Sequence, residues 1–137
     1  YFDTNYEGKA DHALTALRDG MDLVYVHVEA PDEAGHNGDA TQKVSALEDF
    51  DDRVISRLLQ GLKELDEPCR VLMTPDHRTP IPMRTHSREP VPFVLWGDGV
   101  DADEMKTYSE AGAETGSLRV DHGHELLDRL VAGSRAN

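Results

Sequence analysis

Cysteine is nearly absent from this sequence: Cys69 is the single one. An intramolecular disulfide is thereby excluded, as is a zinc site built on thiolates. A reducing compartment fits, and the cytoplasm is the expected location. Cys69 itself, just ahead of an apolar run, reads as a small hydrophobe more readily than as a nucleophile. Basic residues are scarce too, with 14 Lys and Arg against 27 Asp and Glu and a formal net charge of −13. Nucleic acid is not an expected partner, because phosphate binding needs clustered Lys and Arg. No apolar run approaches the ~18 residues of a membrane helix, so no membrane partner is expected either. An initiator Met and a charged-then-apolar leader are also missing, and the opening Tyr1-Phe2-Asp3-Thr4 reads as part of a longer protein. The acidic excess is spread along helix-like segments, as on a solvated surface, although some of it is suited to cations, since carboxylates are hard-metal ligands.

What is present is an alternation of strand-like and helix-like segments without internal repeats. Ala10, Ala13, Leu14 and Leu17 recur at helical spacing within residues 6–19, and Gly20 is placed to stop that helix. Residues 23–28, Leu-Val-Tyr-Val-His-Val, form a β-branched run of the kind buried on both faces of a parallel sheet, which makes His27 a core histidine. A polar, Gly-rich segment at 29–39 leads into a long helix at 40–65, with Val44, Leu47, Phe50, Val54, Ile55, Leu58, Leu62 and Leu65 on one stripe. Strands at 71–74 and 91–96 follow, then a short helix at 104–112 and a better one at 124–132. One core is the expectation for a chain of this length. The alternation argues for a parallel or mixed sheet with helices packed on it. Ligands in such sheets sit beyond the carboxyl ends of the strands.

Three segments at those ends carry metal-ligating residue types. Asp32 and His36 are four residues apart, so a helical turn there points a carboxylate and an imidazole the same way, and Gly35 and Gly38 would let the backbone turn around an ion. A capping Asp with an exposed His is the competing reading. Asp76 and His77 lie between Pro75 and Pro80, which stiffen their loop; an Asp76 bonded to its own backbone is the alternative there. His86 precedes the third strand and, taken alone, is a solvated loop histidine. Together, two Asp and three His suit Mn²⁺, Zn²⁺ or Fe²⁺ better than a structural Ca²⁺. Five ligands exceed what one catalytic zinc takes and fall short of two full sites, which points to ligands outside this sequence. Arg78, Arg84 and Arg88 crowd the same region and suit either a substrate phosphate or surface salt bridges. His122 and His124 sit before the last helix, where Asp121 or Gly123 reads as capping, and are left out of the ligand set.

Asp32-x-x-x-His36, then Pro75-Asp76-His77, then Thr85-His86-Ser87 followed by Glu89-Pro90-Val91-Pro92-Phe93, resembles the ordered C-terminal signature of cofactor-independent phosphoglycerate mutases of the alkaline phosphatase superfamily. The opening Asp3-Thr4-Asn5-Tyr6-Glu7-Gly8-Lys9-Ala10 is similar to their archaeal-type branch, which bacteria also carry. The likeness runs over roughly residues 1–96. It implies an α/β fold, an alkaline-phosphatase-like sheet with helices packed on it, of which residues 1–137 form the C-terminal part of the metal-binding domain, without the N-terminal part. It implies two divalent ions, Mn²⁺ or Zn²⁺, and no 2,3-bisphosphoglycerate. Asp32, His36 and His86 match the ligands of one ion. Asp76 and His77 match part of the other set, completed in the family by an Asp and a nucleophilic Ser from the N-terminal part. The implied substrate is phosphoglycerate or a related small phosphorylated molecule, interconverted between 2- and 3-phosphoglycerate through a phosphoserine, and the chain by itself is expected to be inactive. Val28-Glu29-Ala30-Pro31 is similar instead to a bacterial subgroup proposed to include homoserine kinases, and the Arg78 that follows His77 is unlike the Gly of the bacterial mutase form. A kinase-like phosphotransfer enzyme is therefore one alternative, and a non-catalytic metal-binding module is another.

Overall fold

The computed structural model describes residues 3–132. Its contacts group into two compact units, one within Tyr1–Glu67 and Thr79–Ser87, the other within Pro68–Arg78 and Arg88–Asn137. Among the described residues, no helix is long and apolar enough to cross a membrane.

The first unit is helical. Helix α1 spans Tyr6–Arg18 and begins where Asn5 accepts the Gly8 N–H, which satisfies one of the amides a helix start leaves unpaired. Helix α2, Ala30–Asn37, has Pro31 in its first turn, where a missing N–H costs nothing, and ends at Gly38 with φ 73°. Helix α3, Ala40–Phe50, starts at Asp39, whose side chain accepts the Gln42 N–H. It continues through a π-helical segment, Asp51–Ser56, into helix α4, Arg57–Leu65.

That wide segment explains why the apolar stripe differs from the one read along 40–65. Val44 and Leu47 are exposed, whereas Ala46, Val54 and Leu62 are buried, with Phe50 and Leu58 partly so. The buried positions recur every four residues, and a strict four-residue repeat drifts round an α-helix of 3.6 residues per turn. A locally wider turn offsets the drift and keeps the stripe facing α1. Tyr6, Ala10, Ala30, Ala46 and Val54 form the core, with Val26, Val28, Phe50 and Leu58 against it.

The same register aligns two ion pairs. Arg53 donates from Nε and Nη2 to Glu7 at 2.6 and 2.8 Å, and Arg57 donates to Asp11 at 2.5 and 3.0 Å. Each guanidinium holds its carboxyl below the usual range, chiefly through these hydrogen bonds. Because both carboxyl groups titrate lower folded than unfolded, their contribution is complete above the ordinary carboxylate range and lost as pH falls through the depressed values. Glu7→Gln with Asp11→Asn is expected to lower the melting temperature at neutral pH and to flatten its decline on acidification. Equal acid slopes in melting curves of the two proteins would refute this.

Residues 23–28 were expected as a strand buried on both faces, and they form no ladder among the described residues. The segment alternates instead: Val24, Val26 and Val28 are half-buried, while Leu23, Tyr25 and His27 are exposed. His27 is consequently not a core histidine; its ring stacks on Tyr25 and lies 3.5 Å from Glu29. A continuous apolar run does not say how many of its faces will be covered.

The second unit holds a two-stranded antiparallel sheet, β1 Arg70–Met73 paired with β2 Val94–Gly97. Antiparallel pairing fits the mixed alternative of the expected parallel or mixed sheet, and β2 starts later than predicted because Pro92 has no N–H for a ladder. Helix α5 is short, Glu110–Ala113, since the residues before it are tied into a loop by Asp103, which accepts the Met105 and Ser117 amides. Helix α6, Glu125–Ala132, matches expectation, and Arg70 reaches its last turn, donating to the Leu130 and Val131 carbonyls at 3.0 and 2.5 Å. Burial and nearby Asp98 push the Cys69 thiol up, which keeps it protonated and agrees with a packing role.

Candidate metal centre

Asp32 and His36 lie on α2, one turn apart, so the helix itself aims both side chains to one side. The Gly-rich segment is mostly helix, which supplies the helical turn that the spacing of Asp32 and His36 calls for. Gly35 serves close packing rather than a turn: a Cβ there would meet the Thr79 carbonyl at 2.7 Å and its methyl at 2.8 Å. Gly38 does make the turn, in the left-handed region that ends α2.

His86 comes from segment 79–87 of the same unit, and the structure brings it to this helix. His36 Nε2 and His86 Nε2 are 3.0 Å apart. Asp32 Oδ2 lies 3.4 Å from His36 Nε2, and Oδ1 lies 3.5 Å from His86 Nε2. Ligand atoms held ~2.0–2.2 Å from a tetrahedral ion lie ~3.3–3.6 Å from one another. Two imidazoles and a carboxylate at these separations therefore fit one divalent cation, by donor chemistry and by spacing. All three side chains are partly solvent-exposed, so an ion could enter without opening the core.

Asp76 and His77 belong to the second unit. His77 Nε2 is 3.4 Å from Asp76 Oδ2, and the His77 N–H donates to Asp76 Oδ1 at 3.2 Å. The local backbone bond anticipated for Asp76 is present, and its other oxygen faces the imidazole. Arg78 donates from Nε to the Pro90 carbonyl at 2.8 Å, a bond that fixes the loop. The Arg84 guanidinium packs on Gly38. His122 and His124 are exposed, with rings stacked at 5.6 Å.

Two contributors to this site were not read from the sequence. Thr79, which is buried, donates its hydroxyl to Asp32 Oδ1, and the Arg84 carbonyl accepts from His36 Nδ1 at 3.0 Å. Nothing in the spacing signals either, because the partners are 47 and 48 residues apart.

The chain is similar to several known proteins. The chain is 49% identical to the 2,3-bisphosphoglycerate-independent phosphoglycerate mutase of Methanothrix thermoacetophila and 48% identical to that of Methanosarcina barkeri, each over 96% of this chain and 33% of that protein. A probable 2,3-bisphosphoglycerate-independent phosphoglycerate mutase of Geobacter sulfurreducens is 45% identical over the same shares. The chain thus spans about a third of the length of these relatives. A solved structure of a Pyrococcus horikoshii protein superposes with a TM-score of 0.86 at 32% identity, over 95% of this chain and 38% of that one. This match and the helix-and-sheet composition agree with an alkaline-phosphatase-like α/β fold. Residues 2–126 match the family model of the Metalloenzyme superfamily, and by that span the chain belongs to the Metalloenzyme superfamily.

Proposed function

We propose that this chain is the C-terminal, metal-binding part of a 2,3-bisphosphoglycerate-independent phosphoglycerate mutase, which interconverts 2- and 3-phosphoglycerate. The convergence of Asp32, His36 and His86 on one point carries the reading, and the mutase names of relatives at 45–49% identity support it. In this reading Asp32, His36 and His86 hold one divalent ion, Mn²⁺ or Zn²⁺. Asp76 and His77 contribute to a second ion, with an Asp and the nucleophilic Ser supplied from outside this chain.

Such ions, when bound, neutralise phosphoryl oxygens and lower the pKa of a nearby hydroxyl. The chain's own residues set up that chemistry. Asp32 brings a negative charge that offsets part of the cation's, and His36, with Nδ1–H committed to a carbonyl, presents the Nε2 lone pair. The substrate is a small phosphorylated acid, and no nucleic acid or membrane takes part. The enzyme works in the cytoplasm.

A homoserine kinase-like activity, suggested by Val28-Glu29-Ala30-Pro31, and a non-catalytic metal-binding role are less favoured, since neither has a counterpart in the names of those relatives. The full-length protein carrying this chain, assayed in parallel with 3-phosphoglycerate and with homoserine plus ATP, is expected to interconvert phosphoglycerates in a metal-dependent manner without added 2,3-bisphosphoglycerate. ATP-dependent phosphorylation of homoserine without mutase turnover would overturn the proposal. The 137-residue chain alone is expected to show no turnover.

A further inference from the structure

Segment 79–87 does more than deliver His86, since two other groups on it touch the two ligands borne by α2. Thr79 has only 4% of its surface exposed. It fits there because position 35 has no side chain, and its carbonyl is held by Lys43 Nζ at 2.7 Å. An ionised carboxylate can only accept, so the hydroxyl proton of Thr79 must point at Asp32 Oδ1. One lone-pair direction of that oxygen is thereby occupied, and the carboxylate plane cannot swing without breaking the bond.

The second group is a main-chain carbonyl. A carbonyl can only accept, so the 3.0 Å contact between His36 Nδ1 and the Arg84 oxygen requires the proton on Nδ1. Nε2 is left with its lone pair, on the side facing Asp32 and His86. The carbonyl is aimed there by an unusual backbone: Arg84 has φ 53°, a region non-glycine residues rarely adopt, in a turn where both the Met83 and Arg84 N–H groups donate to the Pro80 carbonyl at 3.0 Å.

We propose that the Thr79 hydroxyl and the Arg84 carbonyl are positioning groups, which fix the carboxylate plane of Asp32 and the tautomer of His36 before an ion binds. The inference rests on the ligand set proposed above and extends it to the groups behind the ligands. Lone pairs set in advance save the reorientation that binding would otherwise require, and outer partners of this kind are worth ~10–100-fold in metal affinity.

The test uses the chain titrated with Mn²⁺ or Zn²⁺ alone by calorimetry, alongside its melting temperature without metal. Thr79→Val, which keeps the shape and removes the hydroxyl, is expected to weaken binding ~10–100-fold. Thr79→Ser, which keeps the hydroxyl, is expected to restore most of it. Unchanged affinity in T79V, or T79S as weak as T79V, overturns the role of the hydroxyl. Nitrogen-15 NMR of the metal-free chain, at a pH where imidazoles are neutral and with His36→Gln for assignment, is expected to find the His36 proton on Nδ1. A proton on Nε2 overturns the role of Arg84, and this reading stands even if T79V fails to fold. Asp32→Asn separates the two levels. Binding lost in D32N but retained in T79V overturns the positioning role alone. Equal binding by D32N and the unsubstituted chain, or none by either, overturns the ligand set and the Thr79 role with it.

Discussion

Replacing His86 with Ala is expected to abolish tight divalent-metal binding while leaving the fold intact, and replacing Asp32 with Ala is expected to abolish binding and also to lower stability. Both variants remove one of three side chains whose candidate donor atoms lie 3.0–3.5 Å apart. Loss of a direct ligand is expected to exceed the ~10–100-fold assigned to an outer partner, so each variant should bind more than ~100-fold more weakly than the unsubstituted chain. The two differ in what is left behind. The His86 side chain is half exposed, and its removal is expected to move stability by no more than about 0.5 kcal/mol. Asp32 is the acceptor for buried Thr79, and its removal leaves a hydroxyl without that partner, at a cost of about 1–3 kcal/mol. Calorimetric titration with Mn²⁺ and Zn²⁺, paired with melting curves of the metal-free proteins, reads both quantities. Undiminished affinity in H86A would sink the assignment of this residue.

The largest effect on stability is expected at Tyr6. Its side chain is fully buried among Ala10, Ala30, Ala46 and Val54, and Arg53 lies over its ring at 4.9 Å. Tyr6→Ala removes the ring from the centre of the first unit, and large aromatic truncations of this kind cost about 3–5 kcal/mol. Tyr6→Phe should behave in the opposite way. The Tyr6 hydroxyl is buried without a hydrogen-bond partner among the described residues, and burial raises its pKa. A buried hydroxyl without a partner carries a desolvation cost of about 1–3 kcal/mol, so removing it is expected to be neutral or stabilising. Denaturant titrations of the two variants check the pair. A marked loss of stability in Y6F would mean that the hydroxyl has a partner in solution.

Legibility in the sequence followed the range of the interaction. Helix α1 was readable within a residue at its carboxyl end, because its period and stop are properties of neighbouring residues. The pairing of Asp32 with His36 was readable for the same reason: four residues on a helix fix a direction. The π-helical segment was not, since a four-residue repeat of apolar residues is also compatible with a straight helix whose stripe drifts. The exposed face of 23–28 was not readable either, as composition gives the propensity for an extended chain but not the neighbours that cover it.

At the candidate centre, the sequence by itself determined the kind of chemistry, because residue types and short spacings limit which ions a set of donors can hold. Only the tertiary structure decided that His86 meets Asp32 and His36, that Thr79 and the Arg84 carbonyl stand behind them, and that Gly35 exists to let Thr79 in. Those contacts join residues 44–54 positions apart, and no local rule of turn, cap or period reaches that far. They follow from how α2 and segment 79–87 pack.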